Sequence, residues 1–464
     1  MGGPAKPAGD YRPPAPTPPE RQLSLWERWF KGRHCTISFI PEKSYNMKMG
    51  HIRLPTHDLY PVCEPGLVRR ILVEQWQRFP KNQALHKVLK PLIGDGMVIS
   101  SGEMWEMQRR MIDPAFQEVK LSDVFPLMLD AVEAMRDRLD AAPDGSTVAV
   151  DEEMTHVTAD IIFRTIFSVP LEQTDANRAF RAFMRYQKHA SNAFLLGNAA
   201  VPRFLSPSHH LANWSGGRLR GLLEPLVRRR YDDWQAGRAG DHKDILASLL
   251  AAKDPETGHV FSLHELVDQV ATLFLAGHET TAATLSWSVY LAAMCPPFQE
   301  RLHDEAQATF GTRDPLFSDL KQLKFTRDVF RETLRLYPPL PFIARTCAHH
   351  EQMRDKEVKA GSSVVVAPWL IHRHRTHWDR PDIFDPDRFQ TTSGKQSLRH
   401  AYLPFSLGPR VCLGASFAMQ EATLILACLA RRYRFEVLPE HVPEPVGRLT
   451  IRSANGIKAR IFRR

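Results

Sequence analysis

Phe405-Ser406-Leu407-Gly408-Pro409-Arg410-Val411-Cys412-Leu413-Gly414 sets one cysteine between two glycines, with an arginine two residues before it. The residues that follow, Ala415 to Ala430, are apolar and helix-forming, so Cys412 is predicted to stand where a helix begins. Free N–H groups and the helix dipole at such a place favour a thiolate. Gly408 and Gly414 let backbone approach the sulfur. Pro409 fixes one dihedral and withholds a donor, and Arg410 supplies a permanent cation. The set suits an anionic metal ligand in a rigid, mostly dry pocket. A buried structural cysteine beside a helix is the alternative that this stretch alone leaves open.

Working back from the cysteine, Pro386-Asp387-Arg388-Phe389 precedes it, and Glu332-Thr333-Leu334-Arg335 lies further upstream, followed by Leu336-Tyr337-Pro338-Pro339. The i, i+3 spacing sets Glu332 and Arg335 on one face of a helix predicted over Phe325 to Tyr337. Taken alone, that is a common surface ion pair of little energetic weight. His372, His374 and His377 invite a metal reading, but no acidic ligands converge on them. Val364-Val365-Val366 reads as strand, and Arg434 to Arg464 alternates like a terminal β-hairpin.

The longest helical pattern runs from Ser262 to Met294, roughly 50 Å if continuous. Ser262 and Glu265 form a capping box at its start, and Pro296-Pro297 close it. Its apolar half approaches a membrane span in composition, but His278 and Glu279 sit in the middle. A charge there is costly in lipid, so a helix through a large soluble core is preferred. At its centre lies Ala276-Gly277-His278-Glu279-Thr280-Thr281. Threonine hydroxyls compete for the i−4 carbonyl and weaken the ladder locally. His278-Glu279 does not extend to a zinc-protease motif, because position 282 is alanine.

In the first half of the chain, Trp105 and Arg109 are four apart and share a helix face. An indole N–H and a guanidinium so placed make a donor pair for a carboxylate; an aromatic stacked on a surface arginine is the bland alternative. Asp113-Pro114-Ala115-Phe116 follows. Helices are predicted over Leu23–Phe30, Pro65–Glu74, Leu121–Ala142, Val150–Ile166, Asp175–Pro202 and Leu219–Gln235, short strands between Tyr45 and Val62, and a loop-rich stretch over Lys81–Met97. The apolar Ala193-Phe194-Leu195-Leu196-Gly197 and the basic Arg228-Arg229-Arg230 read most simply as a buried helix end and a solvated face.

The 464 residues, 43% of them hydrophobic, can bury a large core, and no repeat or long linker marks a boundary. The formal charge of +9 favours an acidic partner. Nucleic acid is a weaker reading, since basic and acidic residues are interspersed. Cys35, Cys63, Cys295, Cys347, Cys412 and Cys428 show no paired spacing, which fits a reducing compartment. Residues 1–22 are rich in proline, glycine and alanine and have no apolar core for a signal peptide; a poorly ordered tail is expected there.

The Phe-x-x-Gly-x-Arg-x-Cys-x-Gly stretch, the Glu-x-x-Arg helix, Pro386-Asp387-Arg388-Phe389, the Ala-Gly-x-Glu-Thr centre of the long helix and the Trp-x-x-x-Arg helix together resemble the cytochromes P450. They occur in family order, and the resemblance covers about residues 45 to 464. It implies a mainly α fold with a small β portion, a long central helix crossing the haem, and a single catalytic domain over 23–464. It also implies haem b as cofactor, with Cys412 as axial ligand of the iron in the loop of Phe405, Gly408 and Gly414. Trp105, Arg109, Arg345 and Arg410 would meet the propionates, with Ala276 and Gly277 over the haem. Glu332, Arg335 and Arg388 would form a buried structural triad.

The same resemblance implies a monooxygenase that inserts one atom of O2 into a C–H or C=C bond of a hydrophobic small molecule. A thiolate ligand favours O–O cleavage. Thr280 would hold oxygen or water by hydrogen bond, and Glu279 would relay protons. Leu273, Phe274, Leu340, Phe342 and Ile343 are the pocket positions, all apolar. Electrons are expected from a ferredoxin or flavodoxin with its NAD(P)H reductase, docking on a basic surface near Arg110, Lys395, Arg399 and Arg431. A soluble, cytoplasmic monomer without a membrane anchor is expected. A peroxide-using peroxygenase is the competing enzyme, disfavoured because the acid–alcohol pair is kept; a non-catalytic haem sensor would need no such pair.

Overall fold

The computed structural model describes residues 10–21, 35–54, 57–118, 121–171, 207–238, 240–448 and 450–464, with isolated positions between them. Two compact units emerge, each discontinuous in sequence: Met1–Pro80, Met135–Thr155 and Thr280–Arg464 in one, Lys81–Ala134 and His156–Glu279 in the other. The chain passes between them inside the helices Leu121–Asp140 and Leu263–Met294 as well as in other segments. A crossing inside a helix needs no linker residues, so composition carries no boundary signal there. The expected helices Leu23–Phe30 and Asp175–Pro202 fall almost wholly outside the described residues.

In the first unit the strands are β1 (Ile52–Arg53), β2 (Asp58–Val62), β3 (Thr147–Ala149), β4 (Ile343–Thr346), β5 (Glu351–Met353), β6 (Lys356–Val358), β7 (Ser363–Val366), β8 (Tyr433–Val437), β9 (Pro445–Gly447), β10 (Ile451–Ser453) and β11 (Lys458–Arg463). The main sheet runs β1-β2-β7-β4. Its β2–β7 pair is parallel and β4–β7 antiparallel, with Arg345 opposite Val364. All of β7 is buried, as its unbroken valine run requires. The C-terminal residues form more than a hairpin. There β11 pairs antiparallel with β8 on one side and with β3 on the other, because residues 147–149 supply an edge that local alternation cannot announce.

The helix Ala415–Arg432 packs on Pro296–Phe310 and Lys324–Leu336. Ala306, Phe310, Leu323 and Ala427 are fully enclosed in this cluster, and Cys428 lies against it. Small residues at the contact let the helices approach closely.

The proline-rich N-terminus is corrected over its described part. Residues 10–19 form an extended strap bound to the body of the first unit. Tyr11 is 7% exposed; its hydroxyl donates to the Tyr290 hydroxyl at 3.2 Å and its carbonyl accepts from Phe384 N–H at 3.0 Å. The Pro14 carbonyl accepts from the Tyr337 hydroxyl at 2.7 Å, and Arg12 pairs with Asp382 at 3.3 Å. Prolines hold the strap extended before it docks, which lowers the entropy lost on ordering it.

In the second unit, Gln83–Ile93 is a helix, where the sequence suggested loop. Pro91 and the glycines at 94 and 96 hid the pattern. Gly102–Glu118 is a helix as expected, as is Val150–Phe167, whose first residues belong to the first unit, and the helix predicted from Leu219 begins already at Pro207. The capping box is present: Ser262 N–H donates to Glu265 at 2.9 Å and Glu265 N–H to the Ser262 hydroxyl at 3.3 Å. Buried Asp244 and Asp254 each hold an arginine by two bonds, Arg230 and Arg110 respectively. Arg110 is thus paired with Asp254 within its own unit, with its side chain 28% exposed.

Candidate active site

The cysteine loop owes its shape to two residues with positive φ, Ser406 at 64° and Gly408 at 75°. Gly408 is required twice over. Its φ lies in the left-handed region, and a β-carbon there would overlap the Leu72 carbonyl. A single 3-10 turn, Gly408–Arg410, follows. Cys412 N–H then donates back to the Phe405 carbonyl at 2.9 Å, closing the loop on itself. The helix begins at Ala415 with Gly414 as its N-cap residue, so Cys412 stands two residues outside the first turn. Cys412 and Val411 are exposed, while Phe405, Leu413 and Phe417 are only partly covered.

Glu332, Arg335 and Arg388 come together in the first unit. Arg335 grips Glu332 with two bonds of 2.8 Å, and Arg388 Nε reaches the same carboxylate at 2.9 Å. Glu332 and Arg335 are fully buried and Arg388 is 5% exposed. The remaining donors are satisfied by backbone. Arg335 binds the carbonyls of His372, Pro381 and Ile383, and Arg388 those of Asp379, Arg380 and Ile383. A buried ion pair is tolerated only when its spare donors are met in this way. His372 is a structural histidine: burial, then the Arg335 and Arg373 cations, push its pKa down to about 3. Arg373 is itself stacked 3.6 Å from the Trp369 ring.

Arg345 on β4 is 8% exposed, and its guanidinium donates to the Ala344 carbonyl at 3.1 Å. No carboxylate pairs with it among the described residues, and burial holds it below the usual arginine range, at about 10. A desolvated cation without an acid is a ready partner for an anion. Arg410 lies over the Trp76 ring at 5.9 Å. On the side of Gly414 where a β-carbon would project, no atom beyond its own chain neighbours and adjoining helix backbone comes within 4 Å. An exposed thiol, partly covered aromatics, open space at Gly414 and an acid-free buried arginine fit an apolar disc that carries carboxylates. Haem has that chemistry.

The central helix divides between the units. In the second, Ala276 is exposed and Gly277 half-buried amid buried neighbours. A β-carbon on Gly277 would press into Ile162. His278 donates from Nδ1 to the Phe274 carbonyl at 2.6 Å, and Glu279 is 3% exposed. Phe274 is 1% exposed and packs edge-on against Phe163 and beside His278. Leu273 is also buried. Trp105 and Arg109 lie on the helix Gly102–Glu118, Trp105 buried and Arg109 paired with Asp113 at 2.6 Å.

In the first unit, Thr280 is partly exposed and its carbonyl accepts from the Thr284 hydroxyl at 3.0 Å. Leu340 is 51% exposed, and Phe342 and Ile343 are partly so. Sequence reasoning missed Glu421 on the helix after the cysteine. Its carboxyl is 1% exposed. Burial pushes its pKa well above the carboxylate range, against a hydrogen bond from Thr281, the residue that follows Thr280. A lone acid in an apolar helical run was the available signal.

The cytochrome P450 family profile matches residues 42–457, and the chain belongs to that family. It is 33% identical to cyclooctatin synthase of Streptomyces melanosporofaciens over 87% of this chain and 86% of that protein. It is 29% identical to cyclooctat-9-en-7-ol 5-monooxygenase of the same organism, over 90% and 87%. The crystal structure of the cytochrome P450DA haem domain shares the fold, with a TM-score of 0.80 at 24% identity over 98% and 99% of the two chains. The protein is accordingly a cytochrome P450 monooxygenase with a haem-iron cofactor. No helix among the described residues is long and apolar enough to cross a membrane.

Proposed function

We propose that the protein hydroxylates a hydrophobic alicyclic alcohol or related ring compound, using haem b bound through Cys412 and electrons from a ferredoxin or flavodoxin reduced by NAD(P)H. The observation that carries the cofactor reading is the exposed Cys412 in a rigid turn of the same unit that buries Arg345 without an acid. The ring-compound reading is supported by the substrate named for the relative that oxidises cyclooctat-9-en-7-ol. When bound, the haem supplies activation of O2 for insertion of one oxygen atom into the substrate.

The chain's own residues then have separable tasks. Cys412 ligates as a thiolate, which the adjacent helix start favours. Arg345 and Arg410, with Trp105 and Arg109, meet the propionates. Thr280 holds a hydrogen bond to oxygen or water, and Glu279 passes protons to it. Leu340, Phe342 and Ile343 offer apolar contact to substrate, as does Leu273. The net charge of +9 suits an acidic electron donor, and the reading extends to a soluble, cytoplasmic monomer.

The test is a carbon monoxide difference spectrum of the reduced holoenzyme, followed by substrate-binding spectra. Cyclic terpenoid alcohols and linear chains of equal carbon number make the probe panel. The thiolate band and a preference for the cyclic alcohols are expected. A spectrum without that band would overturn the Cys412 assignment, and preference for the linear chains would overturn the substrate class.

A further inference from the structure

Between the helix Pro65–Arg69 and Pro80, the chain makes one widened turn, Arg70–Glu74, in which Gln75 N–H donates to the Arg70 carbonyl at 2.9 Å. Such π-type turns are rare and concentrate at functional places. This one packs on the cysteine loop: the Leu72 carbonyl occupies the space that a β-carbon on Gly408 would need, and Val73 Cα would lie 3.1 Å from it. Trp76, just beyond the turn, lies under Arg410.

The turn is tied down from the other side. Arg70 donates to Gln75 Oε1 at 2.8 Å, to the Gln352 carbonyl at 3.0 Å and to Glu351 at 2.7 Å. Arg78 reaches the second oxygen of Glu351 at 2.7 Å. Glu351 is 4% exposed, a buried carboxylate neutralised by two arginines from one short segment. The segment ends against β4: Thr346 N–H donates to the Pro80 carbonyl at 2.8 Å and Ala348 N–H to the Arg78 carbonyl at 2.9 Å. Residues 70–80 therefore join the loop of Cys412 to the strand of Arg345.

We infer that Glu351 and Arg70 are positioning residues for the thiolate: through the widened turn they hold the Cys412 loop in register with the strand that carries Arg345. The inference rests on the reading of Cys412 as haem ligand. Neither residue touches the cofactor. Without Glu351 the two arginines repel each other, the turn keeps its bonds to Gln75, to the Gln352 carbonyl and to β4, and the Leu72 carbonyl buttresses Gly408 less firmly. The thiolate bond is then the weak point, because outer partners orient an inner ligand.

The experiment follows the reduced, carbon monoxide-bound holoenzyme as its thiolate band converts to the shorter-wavelength form that lacks the thiolate. Wild type is compared with Glu351→Ala, Arg70→Lys and a control, Asp244→Ala, which breaks an equally buried carboxylate–arginine pair in the other unit. Conversion in Glu351→Ala is expected to run roughly 10-fold faster than wild type. Arg70→Lys, which keeps the charge but loses the fork, should be intermediate, and Asp244→Ala should convert at the wild-type rate despite a lowered melting temperature. Equal rates in Glu351→Ala and Asp244→Ala would overturn the inference while leaving the Cys412 reading intact, and so would a wild-type rate in Arg70→Lys should Glu351→Ala fail to fold. A wild-type holoenzyme with no thiolate band would remove both.

Discussion

His372 Nε2 accepts a hydrogen bond from Leu403 N–H at 2.7 Å, while the His372 carbonyl accepts from Arg335 at 2.8 Å. One residue thereby joins the buried triad to the entrance of the cysteine loop. The first bond requires a neutral ring with Nε2 unprotonated, and burial with two neighbouring cations keeps it so.

Acid should act at this joint. The folded protein refuses a proton that the unfolded chain accepts, so the stability this gives is whole above pH 6.5 and is lost as pH falls from 6.5 toward 3. The slope from one such group is at most about 1.4 kcal/mol per pH unit. His372→Gln will be less stable at neutral pH, yet it will have a flatter acid limb in urea unfolding. An identical pH slope in both proteins would remove His372 as the titrating joint.

Glu421 carries the opposite sign. Its raised pKa means that the folded state holds a proton the unfolded chain gives up, so its contribution is present below about pH 4.5 and is lost as pH rises through and beyond that value. Glu421→Gln keeps a hydrogen-bond partner for Thr281 without the titration. The variant's melting temperature relative to wild type should climb from pH 5 to pH 8. A constant difference would mean that the carboxyl is already ionised.

Removing one member of the triad leaves charges buried without partners. Glu332→Ala should cost about 3–5 kcal/mol and yield protein that loses haem during purification. A haem-replete, normally stable variant would contradict the burial seen at this carboxylate.

Tyr11→Ala tests the strap. Deleting a buried aromatic ring costs about 3–5 kcal/mol, and the Tyr290 hydroxyl loses its partner. Denaturant unfolding should register most of that loss. A change within about 0.5 kcal/mol, the range of an exposed site, would mean the strap is not bound in solution.

Thr280→Ala addresses the chemistry. Haem, substrate and NAD(P)H consumption should persist, while product per NAD(P)H falls and hydrogen peroxide rises. Glu279→Gln should instead slow turnover, since an amide cannot cycle a proton. Full coupling in the alanine variant would reduce Thr280 to a helix residue.

What the sequence by itself determined is what short spacing encodes: the capping box at Ser262 and Glu265, the shared face of Glu332 and Arg335, and the turn that presents Cys412. Each is a relation within a few residues, where helix or turn geometry leaves little choice. Tertiary structure decided the rest. Resemblance named Arg388 as the third triad member, but no local rule joins it to Glu332 across 56 residues. Likewise, nothing near Glu351 or Glu421 announces Arg70 or Thr281. A proline-rich stretch is extended whether loose or docked, and only the surface formed by Tyr290, Tyr337 and Phe384 made residues 10–19 a strap. A buried charge or ring finds its partner wherever the chain closes around it, and that closure is a property of the packed core.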